Sequence, residues 1–269
     1  MLTLSHPSLQ VVRGFAGAVL FSFPMLMTME MWSVGVSIEP SRLMLFAAVH
    51  LALLAGMASY ARHDKALVTK KDALDAFAAY GVGVLATAAV LPLFGVIEIG
   101  MSADAVVRTI TVQAAPASFG AMVAHLEIDE PAARVGRHHP HGLASSAFLM
   151  GVGALYLASS LASTEEMMLI AHKMSTWQIG GLIVFSLVMI ELFDEYAIEE
   201  ERGSKAGRSA WSLSLAMTCV GYIIALSISL YILWTFGRTD GLTLAQLFKE
   251  TVVLGFPAAL GAGAARLLF

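Results

Sequence analysis

Charged residues are scarce in this sequence, and their scarcity excludes an ordinary soluble domain. Only 13% of the 269 residues are Asp, Glu, Lys or Arg, whereas a soluble domain carries about 25%. Cysteine is nearly absent too, because Cys219 is the single one. An intramolecular disulfide and a cysteine-based zinc site are therefore excluded. The net charge of −4 and the lack of a Lys/Arg block argue against nucleic-acid binding.

Recognisable enzyme motifs are missing as well. The sequence contains no His-Glu-x-x-His, no Gly-x-Ser-x-Gly and no P-loop. Strict apolar/polar alternation over about ten residues, which is typical of barrel strands, is also absent. We therefore expect a protein that is not an enzyme and that has no resident metal or cofactor.

Apolar residues dominate what is present. They make up 58% of the chain, with a mean hydropathy of +0.76, and they fall in runs long enough to cross ~30 Å of hydrocarbon as helix. Breakers such as Glu39-Pro40-Ser41 divide these runs. The pattern predicts an all-α, polytopic transmembrane bundle of about eight spans, or seven if 104–125 is only partly inserted. The predicted spans are roughly 12–34, 41–61, 74–100, 104–125, 143–163, 168–197, 209–236 and 243–268.

The sequence also contains an internal repeat. Pro116-Ala117 and Gly120-Ala121 recur as Pro257-Ala258 and Gly261-Ala262 at a single offset of 141 residues. This predicts two four-helix repeats, 1–126 and 143–269, joined by a polar cytoplasmic linker at 127–142. Because each repeat has an even number of spans, both should insert in the same direction, related by a pseudo-twofold along the membrane normal.

The basic residues predict the orientation of these spans. With eight spans, five of the 16 Lys and Arg residues fall on one side, namely Arg42, Arg108, Lys173, Arg238 and Lys249, and the other eleven fall on the opposite side. The positive-inside rule then places both termini in the cytoplasm. Arg108 and Lys249 each lie eight residues before a repeat proline, and we expect them to pair with nearby acids.

Four acidic residues are candidates for an ion pathway. Glu30 and Glu98 lie at the predicted outer ends of spans 1 and 3, where they could attract cations, although an interfacial or solvated carboxylate explains them equally well. Glu191 and Asp194 lie three residues apart at the inner end of span 6, hence on one helix face. A carboxylate pair of this kind can bind a cation or share a proton, or it can simply be solvated.

Histidine offers two further candidates. His50 lies in the middle of span 2, where it is either a packing residue or a proton relay or pH sensor, since imidazole titrates near pH ~6.5. The sequence His138-His139-Pro140-His141 could bind a transition metal, but it lacks partners at metal-site spacing and fits a solvated linker better.

Three prolines, Pro24, Pro116 and Pro257, are predicted to kink their spans, because proline removes a backbone donor and clashes with the preceding turn. Paired interrupted helices are typical of transporter binding sites. Tight helix packing without transport would explain Pro116, Pro257 and their neighbouring glycines equally well.

The segment Arg13-Gly14-Phe15 to Pro24-Met25-Leu26-Met27-Thr28-Met29-Glu30-Met31-Trp32, together with Glu191 to Glu195, resembles a family of uncharacterised bacterial multi-pass membrane proteins. The resemblance covers most of the chain. It implies a protein of the bacterial cytoplasmic membrane, it implies no activity, and no functional residue can be carried over from it.

These observations lead to two functional hypotheses. The first is a cation channel or a proton- or cation-coupled transporter, with Glu30 and Glu98 at the outer entrance and Glu191 and Asp194 at the inner end. The second is a sensor or scaffold protein that transports nothing and is built around His50. In either case we expect membrane lipids as surroundings and a homo-oligomer, and for the first hypothesis small cations as ligands.

Overall fold

The computed structural model describes residues 7–63, 68–129, 143–202 and 208–268, and all the regular secondary structure in them is α-helical. The chain forms two compact units, Met1–Gly136 and Arg137–Phe269. The first contains α1 (Pro7–Leu26), α2 (Met29–Ser37), α3 (Pro40–His63), α4 (Lys70–Leu93) and α5 (Ala103–Asp129). The second contains α6 (Leu143–Leu161), α7 (Glu165–Lys173), α8 (Thr176–Arg202), α9 (Arg208–Thr235) and α10 (Leu244–Leu268). Most of the predicted linker, 130–142, lies outside the described residues, as do His138, His139 and His141.

Six described helices are long and apolar enough to cross a membrane, which confirms a multi-pass helical protein. The candidate segments are Pro40–Ala61, Lys70–Leu93, Ala144–Leu161, Thr176–Phe193, Ser214–Thr235 and Leu244–Ala265. A seventh is obtained if the bent pair Val11–Leu26 and Met29–Ser37 counts as one span. Helices suit this environment because they pair their backbone groups within the segment. The count is six to seven, so the eight expected spans are not confirmed, while the alternative of seven lies within the range; α5, which contains 104–125, is not among the candidates.

One helix in each unit is surrounded by the others. In the first unit, α5 packs against α1, α2, α3 and α4, and residues 112–122 are all buried. In the second unit, α10 packs against α6, α7, α8 and α9. A helix enclosed in this way faces protein instead of lipid, so it can carry polar side chains that a lipid-facing helix cannot.

Glycines allow these central helices to approach their neighbours closely. A Cβ on Gly120 of α5 would lie 2.2 Å from the carbonyl oxygen of Gly17 on α1. In the second unit, a Cβ on Gly261 of α10 would lie 2.2 Å from the carbonyl oxygen of Gly153 on α6. Close backbone contact at small residues is how helices gain packing energy in lipid, where hydrophobic exclusion is absent.

The predicted first span, 12–34, is interrupted more sharply than the kink expected at Pro24. Helix α1 ends at Leu26 and α2 starts at Met29, with a bend of 92° between them. Thr28 is extended (φ −101°, ψ 124°), and its amide and hydroxyl both donate to the carbonyl of Met25, at 3.2 and 3.0 Å. Pro24 lies just before this break. An apolar run does not reveal a break whose freed carbonyls are bonded within the protein.

Two other predicted spans are also shorter than expected. The span 168–197 is divided at Met174, which is extended (φ −71°, ψ 132°), into α7 and α8. Ser175 then caps α8, because its Oγ accepts from the amide of Gln178 at 3.4 Å while its own amide donates to Oε1 of Gln178 at 2.8 Å. The span 74–100 ends at Leu93. Gly95 beyond it has φ +70°, a conformation that glycine adopts without strain.

The two units follow the same order of one long helix, one short helix and three long helices. Both short helices have nine residues, and their bounds differ by a constant 136 positions. The turns before α5 and α10 each contain two glycines with positive φ, Gly95 and Gly100 in one unit and Gly237 and Gly241 in the other. The same local geometry is therefore built twice, although the repeat was visible in the sequence only around Pro116 and Pro257.

Candidate functional site

The break between α1 and α2 leaves backbone carbonyls that polar side chains bind. Nε2 of Gln113, on the central helix α5, donates to the carbonyl of Met25 at 3.4 Å. The indole N–H of Trp32 donates to the carbonyl of Leu26 at 2.8 Å. Gln113 is fully buried, and its Oε1 has no hydrogen-bond partner among the residues that the structure describes. An amide group thus lies inside the first unit beside an interrupted helix.

A cation from each central helix binds the carbonyl at the C-terminal end of the short helix. In the first unit, Nη1 of Arg108 donates to the carbonyl of Ile38 at 3.2 Å. In the second unit, Nζ of Lys249 donates to the carbonyl of Met174 at 2.7 Å. The last carbonyls of a helix lack intrahelical donors and carry partial negative charge, so a cation satisfies and stabilises them.

The expected pairing of these two cations with acids is therefore only half right. Arg108 does form an ion pair with Asp104, one turn earlier on α5. The bond that Lys249 makes is to the backbone of Met174 and not to a carboxylate. Helix ends compete with carboxylates for cations, and the sequence alone does not show which of them lies within reach.

Glu191 lies within the apolar helix α8 and is held by hydroxyl groups from α9. Oγ of Ser214 donates to one carboxylate oxygen at 2.6 Å, and Oγ1 of Thr218 donates to the other. The carboxylate is half-buried, and both partners are neutral. The carboxyl group is therefore positioned between two helices, and the described groups that bind it carry no opposite charge. Asp194 lies on the same helix, but its side chain is outside the described part of the structure.

Glu30 and Glu98 are less enclosed than Glu191. Glu30 lies in the first turn of α2 and is partly exposed, and Glu98 is exposed in the turn that follows α4. Neither side chain makes a hydrogen bond or ion pair with a residue that the structure describes. Glu98 was expected at the outer end of a membrane helix. It lies beyond that end instead, because α4 stops at Leu93. Both carboxylates are free to attract cations from solution.

His50 is enclosed within the first unit. Its side chain is 7% exposed, its ring lies 6.1 Å from the ring of Phe46, and it approaches the backbone of Ala115 on α5. Neither ring nitrogen makes a hydrogen bond of good geometry among the described residues. This surrounding suits packing, and it also leaves a titratable ring beside the central helix.

The three prolines occupy different settings. Pro24 lies two residues before the end of α1, so it is next to the break. Pro116 and Pro257 lie inside α5 and α10, which continue through them. Both therefore occur on the enclosed central helices. No group of three or more potential metal ligands occurs in the described ranges.

Sequence reasoning did not select Gln113 or Glu250 as site residues. Glu250 on α10 is 8% exposed, and its Oε2 has no hydrogen-bond partner in the described part of the chain. Both residues lie on a helix that its unit encloses, where an amide or a carboxylate is unusual, but this enclosure is not visible in the sequence. Without the enclosure, Glu250 resembled an ordinary helix-end acid.

The enclosed polar groups within apolar helices define an integral membrane protein of the helical class. The chain belongs to the integral membrane protein family DUF2391, whose profile matches residues 10–269. This confirms the resemblance to an uncharacterised multi-pass membrane family. Comparison with curated proteins gives no match, and comparison with solved structures gives none either.

Proposed function

We propose that this protein transports small cations across a membrane, as a channel or as a proton- or cation-coupled carrier. The observation that carries the proposal is Glu191, a carboxylate inside an apolar helix that is bound by the hydroxyls of Ser214 and Thr218. Glu191 lies in the last turn of the candidate span Thr176–Phe193, and an ionisable group in a span is costly unless it is wetted or paired, so it is often retained for ion binding or proton transfer.

The interrupted helices support the same function. In each unit, a carbonyl oxygen at a break beside the short helix accepts a hydrogen bond from the central helix, as at Met25 and Met174. Transporters use such unwound carbonyls to coordinate ions. Glu30 and Glu98, with no described partners, would raise the local cation concentration at an entrance.

For the arrangement in the membrane, we propose eight crossings, made by α1, α3, α4 and α5 and by α6, α8, α9 and α10. Helix α5 can cross despite its polar side chains because its unit encloses it. Four crossings per unit would make the repeats parallel and place both termini in the cytoplasm, as the basic residues favour. Labelling of single cysteines introduced at Gly100 and Gly241, in a Cys219→Ser background, should come from the periplasmic side for both. Labelling from opposite sides would refute the parallel arrangement.

The transport proposal is tested by flux through liposomes that contain the purified chain. Fluxes of protons, potassium, sodium and calcium are measured for the wild type, for Glu191→Gln, and for the matched control Glu165→Gln, whose residue is exposed on α7. We expect selective flux that Glu191→Gln reduces strongly and the control retains. Vesicles that are tight to all four ions, or an undiminished flux in Glu191→Gln, would overturn the proposal.

The alternative is a membrane sensor or scaffold, and the buried His50 is the observation that favours it. Its ring nitrogens make no good hydrogen bond among the described residues, so a change in protonation would alter the contact with α5. In that case His50→Ala should change the oligomeric state or the binding of partners, while vesicles remain tight. The oligomeric state of His50→Ala is compared with that of the wild type at pH values on both sides of neutrality. An unchanged state at both would count against the sensor hypothesis.

A further inference from the structure

A cleft of about 230 Å³ lies between the short helix α7 and the central helix α10 of the second unit. We call it the α7–α10 cleft. Its walls are Ala171, His172, Ala245, Gln246, Lys249 and Glu250. The volume is below the range of about 300–1,000 Å³ that is typical of sites for drug-sized ligands, so its occupant must be small.

Glu250 gives this cleft an unsatisfied acceptor. The side chain is 8% exposed, and its Oε2 has no hydrogen-bond partner in the described part of the unit. Arg238 acts on Glu250 through its charge but donates its hydrogen bond to the carbonyl of Ser163, at 2.5 Å. A buried carboxylate oxygen without a donor is unfavourable, and an ammonium group in the cleft would supply that donor.

Lys249 gives the same cleft a positive charge. Its Nζ donates to the carbonyl of Met174, and an ammonium group has three donors, so two remain for an anion. A metal cation in the cleft would meet this charge and that of Arg238, which makes it an unsuitable occupant. A simple anion would meet Glu250. The opposite charges of the two neighbouring residues fit a molecule that carries both signs.

The first unit keeps a cation at this place, Arg108 in the position of Lys249, but it shows that the fold does not need the acid. Thr109 precedes Pro116 by seven residues, as Glu250 precedes Pro257, and it is fully buried. A Cβ on Gly35 of α2 would lie 2.7 Å from Cα of Thr109, so α2 and α5 are in direct contact there. Glu250 is therefore a specialisation of the second unit and not a requirement of the repeated scaffold.

We propose that the α7–α10 cleft binds a small zwitterion, with its ammonium group on Glu250 and its carboxylate on Lys249. The proposal deepens the transport function, on which it rests for its biological meaning, by naming a class of cargo for a cation-coupled carrier. Binding itself does not depend on transport. The two ideas can therefore fail separately.

The test measures binding to the full chain, purified in detergent, by isothermal titration. The probes are glycine and L-alanine as zwitterions, methylammonium as the cation alone and acetate as the anion alone. We expect saturable binding of a zwitterion at millimolar concentration or better, and at least about tenfold weaker binding of both single-charge probes.

Three variants connect the binding to the cleft. Glu250→Thr installs the residue of the first unit, so it should fold, and Lys249→Gln removes the charge while keeping a donor for Met174. Both should weaken zwitterion binding at least about tenfold. The control Glu166→Gln, which changes an exposed acid on α7, should bind as the wild type does.

Three outcomes would overturn the proposal. They are no saturable binding of either zwitterion to the wild type, equal binding to Glu250→Thr and the wild type, or methylammonium binding as tight as that of the zwitterions. Zwitterion binding with vesicles that are tight to ions would retain the site and refute cation transport. Ion flux without zwitterion binding would support cation transport and refute the zwitterion site.

Discussion

The contact between α1 and α5 allows a sharp prediction, because one added methyl group has a defined obstacle. A Cβ on Gly120 would lie 2.2 Å from the carbonyl oxygen of Gly17 and 2.6 Å from Cβ of Phe21. Contacts under 3.0 Å are not tolerated, so Gly120→Ala must push the two helices apart by roughly 1 Å in a tightly packed interior. The obstacle at Gly17 is backbone, which cannot rotate away.

The expected cost of Gly120→Ala is about 1–3 kcal/mol in the free energy of unfolding, the usual range for overpacking. Gly81→Ala is the matched control, since a Cβ at Gly81 meets nothing within 4 Å. The control should be neutral, or should stabilise by up to about 1 kcal/mol through the better helix propensity of alanine. The change in the free energy of unfolding should therefore be destabilising for Gly120→Ala and neutral or stabilising for Gly81→Ala.

The assay is reversible unfolding in mixed micelles with increasing SDS, followed by circular dichroism. Gly261→Ala and its control Gly180→Ala repeat the comparison in the second unit, where the obstacle is the carbonyl oxygen of Gly153 at 2.2 Å and the control position is open. If Gly120→Ala and Gly261→Ala are as stable as their controls, the close glycine contacts do not stabilise the helix packing within each unit, and the reasoning is refuted.

Three further variants test local interactions by the same unfolding assay. Thr69→Ala removes a capping box that Thr69 forms with Asp72 at the start of α4. The free energy of unfolding should fall by about 0.5–2 kcal/mol, and an unchanged value would contradict the role of this cap. Arg108→Met leaves the carbonyl of Ile38 without its side-chain donor and should cost about 1–3 kcal/mol, whereas Arg108→Lys should recover part of the loss. Thr218→Val removes one of the two hydroxyl donors to Glu191 at nearly constant volume and should cost about 1.5–3 kcal/mol; in the Glu191→Leu background the same change should be close to neutral, and equal costs in both backgrounds would refute the pairing.

The membrane class of the protein could be predicted from sequence because it depends on composition and on run length. The positions where the helices break inside the apolar runs could not be predicted in the same way. Thr28 and Met174 interrupt apolar runs, and their neighbouring carbonyls are bonded by Gln113 and Lys249, which lie 88 and 75 residues away along the chain. A local pattern cannot report donors that are distant in sequence, so the break at Met174 was not predicted and the one after Pro24 was predicted only as a kink.

The candidate site, too, was predictable from the sequence only in part. Glu191 was identified from sequence because a carboxylate within an apolar run is unusual wherever it points, but its hydroxyl partners lie on another helix, 23 and 27 residues further along the chain. Glu250 was not selected, because it appeared near a helix start beside a lysine. Its importance comes from being enclosed, and enclosure is a property of packing.

The sequence by itself determined that the chain is an apolar, multi-pass helical protein with a repeated proline and glycine signature, since hydrophobic run length and helix-breaking residues act locally along the chain. The tertiary structure decided which helix each unit encloses, where the apolar runs break, and that Glu250 and Lys249 line one cleft while Thr109 is packed against Gly35. The physical reason is that burial and hydrogen bonding in an enclosed helix depend on neighbours that are close in space and distant in sequence.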